Sequence, residues 1–240
     1  MNKIKRAIIM AAGFGNRMQP ITLNTPKPLI KVNGKRMIDT IVEALYENSI
    51  FEIYVVVGYK KEQFYEWSKD KPYIKFVENN FYDKCNNISS LYVARDFIEE
   101  SIILDGDQII YNSNILNANI TKSGYSCVWT SEETDEWLMS VDENNKVLSC
   151  CRNGGKDGWQ LYSISRWTKD DGLRLKEKLE EEFVNKQNTQ IYWDDVVMFC
   201  YPQDFDLTIY PINKTDIIEI DNYTELCEID NTYKIENREV

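Results

Sequence analysis

The feature that most restricts how this chain can fold is an apolar run, Ala7 to Ala12, that breaks on Gly13-Phe14-Gly15. A continuous apolar run bounded by glycine reads as a strand of a parallel sheet, buried on both faces. Glycines directly after such a strand let the backbone turn sharply and approach a ligand, because no Cβ intervenes. Arg17 follows, and then Lys27 between Pro26 and Pro28. Exposed amides with a guanidinium and an ammonium nearby suit a triphosphate. The amides grip oxygens, the arginine forks onto phosphate, and the lysine is a movable point charge. Two glycines alone match neither the Walker spacing nor the dinucleotide fingerprint. A plain strand-to-loop turn with solvated basic residues gives the same short pattern.

The chain has 240 residues, enough to bury a sizeable core. Its net charge of -11 argues against nucleic acid or an anionic membrane surface as the main partner. The N-terminus reads as lacking a secretory signal, and no apolar stretch approaches bilayer-spanning length. Cys85, Cys127, Cys150, Cys151, Cys200 and Cys227 fall in no zinc or redox spacing. They are expected to be reduced, mostly buried thiols of a cytoplasmic protein. Histidine is absent. That removes Ser-His and Cys-His nucleophiles and His-bound metal, so a site here runs on carboxylates, lysine, arginine and a hard cation.

Periodicity predicts a helix over Met37–Asn48, with Met37, Ile38, Ile41, Val42 and Leu45 on one stripe, and a short helix over Lys61–Trp67. Strands are expected at Ile53–Val57, Ile74–Val77 and Ser101–Leu104. Asn86 to Ser90 reads as a capped helix start leading into Leu91–Phe97. Strands alternating with helices as far as about residue 120 predict a parallel sheet with helices on both faces. Beyond it come short strands at Tyr125–Thr130, Leu138–Val141, Lys146–Cys151 and Trp159–Ile164. A charged helix follows over Lys169–Val184, with Leu173, Leu179 and Phe183 as its stripe. A second helix at Asp194–Cys200, strands at Leu207–Tyr210 and Ile217–Ile220, and a closing helix at Asn222–Ile229 complete the pattern. The whole reads as a single α/β domain over 1–240, with a small inserted substrate-binding lobe.

Asp105-Gly106-Asp107 falls where a parallel strand ends, the edge at which open α/β sheets bind ligands. Asp107 is a candidate magnesium ligand, or simply part of an Asp-Gly turn. Glu219 and Asp221 alternate onto one face of a late strand. Asp221 is a second candidate ligand, or the cap of the helix that follows. Asp135-Glu136-Trp137 and Tyr192-Trp193-Asp194-Asp195 place aromatic rings beside carboxylates. That combination holds quaternary ammonium groups, and it also occurs in ordinary packing. Lys3, Lys5 and Arg6 are expected to be solvated.

The longer string Ala11-Ala12-Gly13-Phe14-Gly15-Asn16-Arg17, with Pro20, Thr22 and Thr25-Pro26-Lys27-Pro28-Leu29, closely resembles a known signature loop. It is that of nucleotidylyltransferases acting on sugar phosphates and small alcohol phosphates. Asn86-Asn87, Ser90-Leu91-Tyr92, Glu136-Trp137, Tyr192-Trp193-Asp194 and Glu219-Ile220-Asp221 extend the likeness from about residue 6 to about residue 230. Over that length the chain is similar to the bacterial CTP:phosphocholine cytidylyltransferases. The resemblance implies a Rossmann-like, mainly parallel sheet, with a nucleotide-binding half to about residue 120 and a substrate-binding half with a closing helix after it. It implies Mg2+, and CTP and phosphocholine as substrates, giving CDP-choline and pyrophosphate. By the same resemblance Ala11 to Arg17 wraps the nucleotide, Arg17 meets the triphosphate and Lys27 the reacting phosphates. Asn87 and Ser89 lie near base or ribose, and Asp107 and Asp221 hold the metal. Trp137, Tyr192, Asp194 and Glu219 surround the choline head. CTP rests on the resemblance alone, since no residue pattern reads the base. Lys156 is the nearest counterpart of a second catalytic lysine in sugar-phosphate relatives, but Asn153-Gly154-Gly155-Lys156 reads as a turn and receives no role. The rival readings are the same chemistry on phosphoethanolamine, an aminoalkyl phosphonate or a sugar 1-phosphate, and a non-catalytic nucleotide-binding relative.

Overall fold

A computed structural model describes residues 2–234 of the chain. The apolar run forms β1 (Arg6–Ala11), followed by β2 (Glu52–Val57), β3 (Ile74–Glu78) and β4 (Ser101–Asp105). These four are parallel, in spatial order β4-β1-β2-β3, within a nine-stranded mixed sheet. Strand alternation sends the β1 side chains to two separate core layers. Ala7, Ile9 and Ala11 pack with α1 (Met37–Glu47) and α2 (Lys61–Trp67). Ile8 and Met10 pack on the other face with α3 (Ile88–Val93) and α4 (Lys169–Glu180). Each fully buried Ile or Leu contributes about 1.5–3 kcal/mol, so both faces hold the sheet. The expected α1 stripe is buried at all five positions.

The rest of the sheet is largely antiparallel. After β5 (Gln108–Ile110) come β6 (Gly124–Thr130), β7 (Leu138–Val141), β8 (Val147–Cys151) and β9 (Gly158–Trp167). The ten-residue β9 joins the two halves. Its last four residues pair with β4, its start pairs with β7, and β6 runs along its other side. β10 (Thr208–Pro211) adds to β6 in parallel. β11 (Ile217–Glu219) pairs with β5 outside the main sheet and leads into α5 (Tyr223–Ile229). No helix among the described residues is long and apolar enough to cross a membrane.

Several expectations need correction. On α4 the buried positions are Leu175 and Leu179, while Leu173 is 39% exposed. Gly172 sets this phase, because a Cβ there would stand 2.8 Å from the Glu99 backbone. The regular part of α4 stops at Glu180 and continues as a wide π-type turn, Glu181–Asn185. Another such turn, Val196–Cys200, follows the short helix Trp193–Asp195. The start of α3 lacks the side-chain cap expected of Asn86 to Ser90. Among the cysteines only Cys127 is buried, and Cys151 is exposed. Arg6 is not simply solvated, for its Nε lies 3.3 Å from Glu52. β5 and a small hairpin, Lys31–Val32 with Lys35–Arg36, were not foreseen. The hairpin had its signal in Asn33-Gly34, whose φ values of 50° and 88° suit that turn.

Candidate active site

Past β1 the chain winds through three single 3₁₀ turns, Asn16–Met18, Ile21–Leu23 and Lys27–Leu29. Gly15 makes this possible. Its φ is +64°, and a Cβ there would stand 3.0 Å from Thr22 and 3.1 Å from Lys27. The Thr22 hydroxyl donates to Gly15 O at 2.9 Å and pins the loop to itself. The loop walls a cavity of about 350 Å3. Ala11 to Gly13, Gly15 to Arg17 and Lys27 line it, with Asn87, Ser90, Asp105, Asp107 and Asp221.

The acids converge because β4 ends there and because β5 and β11 pair. Glu219 lies in register with Gln108, beside Asp107. Lys27 Nζ donates to Asp107 Oδ2 at 2.6 Å and to Asp221 Oδ1 at 3.2 Å. Arg17 Nη2 donates to the same Asp221 oxygen at 2.8 Å. Burial works against charge on Lys27, but Asp107, Asp221 and Glu219 outweigh it and raise its pKa above the ordinary value. Asp105, Asp107 and Glu219 each offer an oxygen within 4.8 Å of the others. Burial, and then Asp107, pushes the Asp105 carboxyl up to about 7. Burial pushes Glu219 well above the carboxylate range, with Asp107 next in effect. Acids gathered this closely suit a cation site. Asp107 Oδ1 is buried and without a partner among the described residues, as an open ligand position would be. Asp221 does not cap α5. Asn222 does, its side chain accepting from Glu225 N.

A second cavity of about 240 Å3 adjoins the first and shares Arg17, Asn87 and Asp221 with it. Trp137 and Tyr192 form part of its wall, their rings perpendicular with centroids 6.1 Å apart. Asp194, Glu219 and Glu136 add three carboxyls. Asp194 is buried, and burial first and Asp105 second push its pKa well above the usual range. Its Oδ1 has no partner among the described residues. Burial, with Asp221 next, also raises Glu136.

Lys27, Arg17, Asp107 and Asp221 therefore meet at one point, and Trp137, Tyr192, Asp194 and Glu219 line the neighbouring space. Asn87 stands between the cavities, its Oδ1 accepting from Trp193 N at 2.9 Å. Two expectations shift. Ser89 is buried and spends its hydroxyl on Asn86 O and Asn79 Nδ2, so Ser90 takes the wall position. Phe14 packs between Tyr59 and Tyr82, at 5.1 and 5.2 Å, rather than lining the cavity. Asp105 was missed although it belongs to the Asp-Gly-Asp turn, and Ser163 and Leu161 carried no signal at all. Lys156 lies beside a turn held by Gly155 and Thr134 and lines neither cavity. A larger cavity, about 730 Å3, lies behind the Thr25–Leu29 segment and holds none of the converging acids.

Residues 6–147 match the family model described as Nucleotidyl transferase. A 2-aminoethylphosphonate cytidylyltransferase of Lancefieldella rimae is 37% identical over 229 residues, covering 95% of this chain and 92% of that one. A choline-phosphate cytidylyltransferase of Streptococcus pneumoniae is 31% identical over 232 residues, 97% of this chain and all of that one. The solved CTP:phosphocholine cytidylyltransferase structure from Streptococcus pneumoniae superposes with a TM-score of 0.88 at 30% identity, covering 95% of this chain and 99% of that one.

Proposed function

The chain belongs to the nucleotidyl transferase family, and from that premise we propose that it transfers the cytidylyl group of CTP to phosphocholine, releasing pyrophosphate. One observation carries this reading: the glycine-loop cavity, with Lys27 in it, opens beside a cavity walled by Trp137, Tyr192 and buried carboxyls. A nucleotide in the first and a cationic head in the second set two phosphates against each other at Lys27.

A phosphate oxygen of phosphocholine attacks the α-phosphorus of CTP in line. The bond from that phosphorus to the pyrophosphate oxygen breaks, and pyrophosphate leaves. A phosphomonoester has a second pKa near ~6, so the attacker is already a dianion at neutral pH. No general base is needed, in keeping with a chain that has no histidine. Lys27, held charged by Asp107 and Asp221, stabilises charge growing on the α-phosphate. Arg17 and the amides of residues 13–16 hold the β- and γ-phosphates. Asp107 and Asp221 are the residues that would hold Mg2+; the oxygens already clustered are those of Asp105, Asp107 and Glu219, while Asp221 Oδ1 is engaged by Lys27 and Arg17. A magnesium ion held by these acids would supply neutralisation of phosphate charge. Trp137 and Tyr192 offer ring faces to the trimethylammonium group, whose charge favours the ionised form of Asp194 and Glu219 that burial otherwise opposes. We take residues 1–240 as one working unit. A nucleoside triphosphate substrate and free thiols suit the cytoplasm.

A second reading makes 2-aminoethylphosphonate the acceptor. The 37% identity to an enzyme of that name favours it, and so do the carboxyls lining the second cavity, which a primary ammonium can meet with N–H. A matrix of four nucleoside triphosphates against phosphocholine, phosphoethanolamine, 2-aminoethylphosphonate and glucose 1-phosphate decides between them. Pyrophosphate release should be fastest with CTP and phosphocholine. A higher kcat/KM for the phosphonate installs the second reading, and no turnover with any pair removes the transferase assignment.

A further inference from the structure

Arg152, in the turn after β8, lines neither cavity yet touches the aromatic wall of the second. Its guanidinium carbon lies 4.3 Å from the centroid of the Phe199 ring and 5.6 Å from that of Trp137. Phe199 packs edge-on against Trp137, with centroids 5.3 Å apart. Through Nη2 the same guanidinium pairs with Asp195 Oδ1. Asp195 is buried, and its other oxygen accepts the Tyr192 backbone N–H at 2.9 Å. The perpendicular contact between Tyr192 and Trp137 closes the circuit.

We propose that Arg152 is a positioning residue that fixes the opening between the Trp137 and Tyr192 rings, and so sets affinity for the cationic head of the acceptor. This rests on the reading of that cavity as the head-group site. A planar guanidinium does two jobs that an ammonium combines poorly: it lies over rings with its face while an edge N–H pairs with a carboxylate. Here the two jobs tie the β7–β8 lobe, which carries Trp137, to the segment that carries Tyr192, Asp195 and Phe199. The Arg152–Asp195 pair is neutral as a unit, so it does not repel a cation next door. Removing Arg152 leaves Asp195 as an uncompensated negative charge. If charge alone mattered, the variant would therefore bind a cationic substrate more tightly. Positioning predicts the opposite sign.

The test is steady-state kinetics of Arg152→Ala, Arg152→Lys and Trp137→Ala, with each substrate varied in turn. For Arg152→Ala the expected result is a KM for phosphocholine raised about tenfold, with kcat and the KM for CTP within about twofold. Arg152→Lys should restore part of the loss. An unchanged or lowered KM for phosphocholine overturns the proposal, as does an equal loss in kcat and the KM for CTP. If Trp137→Ala raises that KM while Arg152→Ala does not, only the role of Arg152 falls. If Trp137→Ala is itself silent, the head-group cavity is misplaced and both readings fall together. Should Arg152→Ala lose its near-UV circular dichroism, Arg152→Lys decides by the same split, and a wild-type KM there overturns the proposal.

Discussion

The two adjoining cavities are built in opposite ways. The first takes most of its wall from one continuous stretch, residues 10–28, and borrows only a few acids and amides from elsewhere. The second has no such stretch, and its residues run from Arg17 to Asp221, with Trp137 just before β7 and Tyr192 just before the 193–195 helix. A group common to every nucleotide fits a local loop, because backbone amides and two cations recognise any triphosphate. On the proposed reading, a head group that differs among acceptors would be held by side chains on separate elements, which could change without disturbing the loop.

The contrast can be broken where the cavities meet. The largest effect is expected at Lys27. Lys27→Ala should lower kcat roughly 10²–10³-fold with any acceptor, since it removes a contact that strengthens in the transition state. A kcat near wild type takes Lys27 out of the chemistry. Next comes Asp221→Asn, which should cost about 10²-fold and raise the magnesium concentration for half-maximal rate. Titration of rate against magnesium, after chelation has abolished turnover, reads this directly, and an unmoved curve removes Asp221 from the metal site. Trp137→Ala sharpens the comparison most. It should raise the KM for phosphocholine about tenfold, leave CTP nearly alone, and affect 2-aminoethylphosphonate less, because a primary ammonium leans on carboxylates. Equal effects on all three substrates would erase the distinction between the cavities. The smallest effect belongs to the helix that follows Asp221. Asn222→Ala removes the α5 cap and should cost ~1 kcal/mol, about 2–4 °C in Tm, readable by thermal melts. A Tm unchanged within error would mean that α5 is held by packing alone.

The same contrast governs how much could be read in the sequence. β1, its glycine loop and α1 are local patterns, and their predicted residues fall where the structure puts them. Lys27 and Asp107 were visible as types, but their 2.6 Å contact depends on β4 ending beside the loop. Glu219 could be picked by likeness alone, because the β5–β11 pairing that delivers it rests on two three-residue strands too short to leave a period. Ser90 was passed over for Ser89 since consecutive residues on a helix diverge by about 100°; Asn79 reaches both hydroxyls, and the bond that sets Ser89 apart is its own donation to Asn86 O. Leu173 misled for a like reason. A stripe on a sparsely apolar helix leaves its phase open, and the close approach of Gly172 to the Glu99 backbone decided it.

The long strand β9 also constrains how the molecule is made. It supplies hydrogen bonds to β4, β6 and β7, which lie before it in the chain. A nascent polypeptide halted short of Gly158 therefore shows three unmated rows of amides and carbonyls, the kind of margin on which chains zip into aggregates. During synthesis the first two-thirds of this protein stays sticky until Trp167 has cleared the ribosome, and a truncation ending anywhere in between should be recovered as inclusion bodies rather than as a smaller folded piece.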